Sequence, residues 1–115
     1  MESIELSAYP SQNQQEEHNL SIRDFQKLMA QIYLQRDLDR GVERTFLWLV
    51  EEVGELSNSL LRDDREQIEE EISDVFAWLA SLCNILNVDL EDVVRKKYTE
   101  VCPRCLRSPC ECASR

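Results

Sequence analysis

Residues 43–62 read ERTFLWLVEEVGELSNSLLR and residues 65–86 read REQIEEEISDVFAWLASLCNIL, with only Asp63 and Asp64 between them. In the first run Phe46, Leu47, Val50, Val53, Ser57, Leu60 and Leu61 recur at helical spacing, and in the second Ile68, Ile72, Val75, Phe76, Leu79 and Leu82 do the same. Each set predicts a helix that buries that side. Asp63 or Asp64 supplies the cap of the second helix. Helices joined by so short a turn lie side by side and antiparallel.

Working outward, Ser21 is a good N-cap with Asp24 three residues on, and Phe25, Leu28, Met29, Ile32 and Tyr33 keep helical spacing up to a stop at Gly41. Asp89 caps a short last helix that reaches about Thr99. The expected fold is therefore all-α, an antiparallel bundle of about four helices. Residues 1–18, polar and rich in Gln and Glu, read as a flexible tail; 19–100 form the helical domain and 101–115 a Cys-rich segment. The run VFAWLASLCNIL from Val75 to Leu86 is apolar nearly all round, which in so small a chain predicts packing against a second subunit. A homo-oligomer, dimer or tetramer, is expected.

Composition agrees. With two glycines and three prolines in 115 residues, the chain lacks the punctuation of a turn-rich β protein. A net charge of −10 argues against binding a nucleic-acid polymer. No apolar run approaches the roughly 20 residues a membrane span needs, so the chain reads as cytoplasmic, with no membrane partner.

The chemistry lies in the acids. Glu52 and Glu55 are three apart on one helix, as are Glu71 and Asp74 on the next, so each pair projects together. Converging across a hairpin, four carboxylates repel unless cations neutralise them. An all-oxygen donor set without histidine suits Mg²⁺, or Mn²⁺. Single pairs of this kind are usually solvated faces. Trp48, four before Glu52, and Trp78, four after Asp74, stand on the same faces as the acids, which a purely solvated surface does not favour. Gly54 in mid-helix marks tight packing or a close ligand approach. A di-iron carboxylate bundle needs Glu-x-x-His pairs and is excluded, because His18 in the tail is the only histidine.

LVEEVGEL (Leu49 to Leu56) followed by EEISDVFAWL (Glu70 to Leu79) resembles the MazG-like all-α nucleoside triphosphate pyrophosphatases over roughly residues 20–100. The resemblance implies a Mg²⁺ site at Glu52, Glu55, Glu71 and Asp74. It also implies a reaction, cleavage of a nucleoside triphosphate between its α- and β-phosphates to give the monophosphate and pyrophosphate. A carboxylate outside the cation's shell would take the proton from the attacking water, with Glu51 and Glu70 as candidates by proximity. Trp48 and Trp78 would stack on the base or close the pocket; core or interface packing is the plainer alternative. Lys96 and Lys97 would reach phosphates, unless they merely suit the end of the helix dipole. Phosphoribosyl-ATP is the alternative substrate within the same superfamily. A non-catalytic helical interaction module with a structural zinc is the alternative outside it.

Cys102, Cys105, Cys110 and Cys112 form C-P-R-C and C-E-C pairs. CPRC resembles half of a zinc knuckle, and a structural Zn²⁺ held by four thiolates is the leading reading, ahead of free thiols and disulfides. The short C-x-C pair departs from the common spacing. Cys83, in mid-helix, reads as a buried small hydrophobe.

Overall fold

The structure, a computed structural model, describes residues 20–114; the tail and His18 lie outside the described residues. It contains four helices, α1 (Ile22–Arg40), α2 (Val42–Arg62), α3 (Arg65–Leu86) and α4 (Leu90–Lys97), and no strand among the described residues. Each start has a local cause. The Ser21 hydroxyl accepts from the Asp24 backbone N–H at 3.0 Å, and the Asp24 carboxylate accepts from the Ser21 N–H at 3.3 Å, a complete capping box. Asp64 caps α3 through the Gln67 N–H and Asp89 caps α4 through the Asp92 N–H.

The ends are equally local. α1 and α2 share Gly41 as their joint, and its φ of +91° is open to glycine and strained for any side chain. Asp63 and Asn87 close α2 and α3 in the left-handed region, at φ 55° and 60°, where Asp and Asn are the best tolerated residues after glycine. The two-residue turn at Asp63–Asp64 folds α3 back against α2, and this is the most extensive helix contact in the chain.

α1 is fastened across the α3–α4 corner by polar groups. The Gln26 amide donates to Asn84 Oδ1 at 3.0 Å and to the Val88 carbonyl at 2.8 Å, and its oxygen accepts from the Leu90 N–H at 2.9 Å. Arg23 grips the start of α4 through Asp89, Glu91 and Asp92 at 2.8–3.1 Å. Its charge, with its hydrogen bonds, holds the Asp89 and Glu91 carboxyls below their usual range. Phe25 stacks on Phe76 with 5.0 Å between ring centroids, joining α1 to α3.

The apolar core is small. Met29, Ala80 and Cys83 are the buried hydrophobic residues among those described, and burial pushes the Cys83 thiol up. The expected inward face of α2 is corrected. Phe46, Leu47, Val50, Val53, Ser57, Leu60 and Leu61 are all exposed, Leu47 at 63% and Leu61 at 82%. The side turned into the bundle instead carries Thr45, Leu49, Glu52, Leu56 and Ser59. In α3, Ile68, Val75, Leu79 and Leu82 are half-buried as expected, whereas Ile72 and Phe76 reach the surface. Periodicity locates a face that avoids water, but α2 has two faces and this chain covers the more polar one. Hence the unpartnered apolar surface lies on α2, and also on α1 at Leu28, Ile32, Tyr33, Leu34 and Leu38, more than on α3. Gly54 shares it, and a Cβ there would meet nothing within 4 Å, so tight packing inside the chain does not explain this glycine.

Candidate metal centre

The site is built on the α2–α3 hairpin. Antiparallel packing matches each step up α2 with an equal step down α3, setting Trp48 opposite Trp78, Glu52 opposite Asp74 and Glu55 opposite Glu71. The tryptophans are in contact in this register, their ring centroids 5.8 Å apart and their planes 13° from parallel. One helical turn on, Glu52, Glu71 and Asp74 each offer a carboxylate oxygen, all within 4.8 Å of one another.

Glu71 is buried at 7% exposure. Its Oε2 accepts from the Gln67 amide at 2.8 Å, while its Oε1 is buried without a partner. An ionised oxygen in that position is costly unless a cation or donor meets it. Burial pushes the Glu52 carboxyl up to about 7, helped by the neighbouring carboxylates of Glu71, Asp74 and Glu55. Burial and the charge of Glu71 raise Asp74 too. Three convergent carboxylate oxygens, with Glu52 and Asp74 raised and one Glu71 oxygen buried without a partner, fit a hard divalent cation.

Glu55 is exposed and stands outside the group of three, although it is near enough for its charge to act on Glu52. Glu51 and Glu70 are exposed on the neighbouring helix positions and are not drawn into the group. Lys96 and Lys97 are exposed at the end of α4, which packs chiefly against α1; the Lys97 ammonium lies 5.5 Å from the Tyr98 ring. The four cysteines gather in their own cluster within 101–112.

Beside the acids, a cleft of about 210 Å³ runs between α1 and α3, lined by Tyr33, Arg36, Asp37, Arg40, Asp74 and Trp78 among others. Sequence reading missed its α1 wall. Arg40 lies 4.7 Å over the Trp78 ring and is held by Asp37 at 2.8 Å and by the Thr45 hydroxyl at 3.3 Å. Asp37 is 1% exposed, and its Oδ2 is buried without a partner. The available signal was the Asp-x-x-Arg spacing of Asp37 and Arg40 directly before the Gly41 stop.

Carboxylates converge here from two consecutive antiparallel helices, with an aromatic pair one turn away and a cleft of paired charges alongside. The MazG nucleotide pyrophosphohydrolase domain model matches residues 40–106, more than half of the 115 residues, and the chain belongs to that family. The match opens at Arg40 and ends after the first cysteine pair. No curated protein matches the chain. Membership makes this a nucleotide pyrophosphohydrolase fold, of a family that acts on nucleotide pyrophosphate bonds.

Proposed function

We propose that the protein hydrolyses a nucleoside triphosphate to the monophosphate and pyrophosphate, dependent on Mg²⁺ or Mn²⁺. The observation that carries this reading is the convergence of Glu52, Glu71 and Asp74, in which Glu71 also buries an oxygen without a partner. Those three residues, with Glu55 as the fourth, would hold the cation, which supplies neutralisation of phosphate charge and a lowered pKa for a bound water.

The remaining roles belong to the chain's own residues. Arg36 and Arg40 line the cleft as guanidinium donors for a phosphate tail, although Asp37 and Asp74 in the same lining balance their charge. Trp48 and Trp78 are stacked on each other with too little room for a base between them, since an inserted ring needs about 7 Å. They act as one wall, and the half-exposed Trp48 offers its surface to the base. Glu51 and Glu70 are the carboxylates outside the cluster assigned to accept the water proton. Lys96 and Lys97, exposed at the end of α4, are the further candidates for a phosphate contact.

The cleft in one chain is smaller than the roughly 300–1,000 Å³ of ordinary ligand pockets, and α2 leaves a heptad-spaced stripe of Leu47, Val50, Gly54, Ser57 and Leu61 bare. A second copy of this chain, packed along that stripe, would supply the missing core. The test is pyrophosphate release from a panel of common and deoxynucleoside triphosphates and phosphoribosyl-ATP, with and without Mg²⁺, in the wild type and Glu71→Gln. Expected is release by the wild type that needs the cation and falls at least about tenfold in the variant. No release above the variant's background from any nucleotide overturns the reading.

A further inference from the structure

Cys102, Cys105, Cys110 and Cys112 bring their sulfurs within 4.8 Å of one another at the opposite end of the sequence from the helical core's first element. Nothing in the nucleotide chemistry uses them. The second pair, Cys110 and Cys112, lies beyond the family match. We propose that these four thiolates hold one tetrahedral Zn²⁺.

Distance decides between the possible states of the cysteines. Four sulfurs about 2.3 Å from a central zinc define a tetrahedron with edges of about 3.8 Å. Cys102 and Cys112 are 3.8 Å apart, and Cys105 and Cys110 are 3.9 Å apart. A disulfide would need about 2.05 Å, and all four are free. Thiols with no common centre have no reason to meet as a group of four at the surface.

The backbone is arranged for thiolates. The Arg104 N–H donates to Cys102 Sγ at 3.4 Å, the Glu111 N–H to Cys105 Sγ at 3.3 Å and the Cys112 N–H to Cys110 Sγ at 3.3 Å. Cys102 closes its own turn, accepting at its carbonyl from the Leu106 N–H at 2.8 Å and donating its N–H to the Arg107 carbonyl at 3.0 Å. The Cys112 N–H bond to Cys110 Sγ also resolves the unusual C-x-C spacing, because it curls the first side chain back beside the second.

The segment has little else to order it. It contains no helix or strand, its residues are exposed or half-buried, and its hydrogen bonds among the described residues stay within 102–112. Leu106 nevertheless holds a φ of +60°, a conformation that an exposed leucine does not keep unaided. With four protein ligands and no open position, the zinc is structural, not hydrolytic.

The full chain, purified under reducing conditions, is assayed for metal by elemental analysis and for Co²⁺ uptake by absorption. Expected are one zinc per chain, replaceable by Co²⁺ with the visible bands and sulfur charge transfer of a tetrahedral thiolate site, and loss of both in the Cys105→Ser/Cys112→Ser double variant. Glu71→Gln, which addresses the carboxylate site alone, keeps its zinc. Reduced protein that takes up neither metal, bound iron in place of zinc, or two disulfides in the mass of the native chain would each overturn the proposal.

Discussion

Trp48 on α2 and Trp78 on α3 lie ring over ring, 5.8 Å apart and 13° from parallel, one helical turn from Glu52 and Asp74. The stack pins the hairpin register at the end where the acids face each other. It also gives the aromatic wall one free side, on Trp48. Trp48→Ala is expected to raise KM for a nucleotide about tenfold with kcat little changed, since stacking on a base is worth about 1–3 kcal/mol. Steady-state kinetics on the preferred triphosphate check this, and an unchanged KM removes Trp48 from the binding surface.

The acids make the metal-free protein sensitive to pH in an unusual direction. Glu52 ionises only near 7, above its ordinary 4.5, so the folded state holds that proton more tightly than the unfolded chain. Its ionisation weighs against folding at alkaline pH, and the burden fades as pH falls through 7. Asp89 and Glu91, held low by Arg23, withdraw their stabilisation only lower still, as pH falls through the carboxylate range. Metal-free protein is therefore expected to melt higher at about pH 6 than at about pH 8, and Mg²⁺ to raise Tm more at pH 8, because the cation binds the ionised acids. Thermal melts with EDTA or Mg²⁺ at the two pH values measure both effects.

Leu61 is 82% exposed, so in a lone chain Leu61→Glu would cost almost nothing. In the assembly proposed above, the same change buries a charge at the interface. Sedimentation velocity is expected to find the wild type larger than one chain and Leu61→Glu reduced to a monomer. A monomeric wild type refutes the second copy.

Gln26 holds three partners at the α1–α3–α4 junction. Gln26→Ala strands the Leu90 N–H and the Asn84 and Val88 oxygens, with an expected cost of about 2–3 kcal/mol in chemical denaturation.

Much of this was legible in the sequence, for reasons that differ by residue. Ser21, Asp64 and Asp89 act on N–H groups three residues away, so the helix starts could be read locally. The pairing of Glu52 with Glu71 and Asp74 followed from helical spacing plus a two-residue turn. The burial of α2 did not follow, because Leu47 and Leu61 advertise a face without naming its partner. Arg40 and Asp37 escaped notice because their role depends on the corner at Gly41 that swings the end of α1 against Trp78. Tertiary placement, not residue type, makes them part of the site.

The Asp63–Asp64 turn has a kinetic consequence. Loop-closure entropy is least for the shortest connections, so the α2–α3 hairpin is the cheapest long contact for this chain to make as it folds. Forming it drives Glu52, Glu71 and Asp74 together before most other packing exists. The barrier to folding is then expected to carry the mutual repulsion of the acids, which a divalent cation at the proposed site would relieve. If the proposed site binds Mg²⁺, the ion is expected to speed refolding as well as slow unfolding, which stopped-flow refolding with EDTA or Mg²⁺ measures.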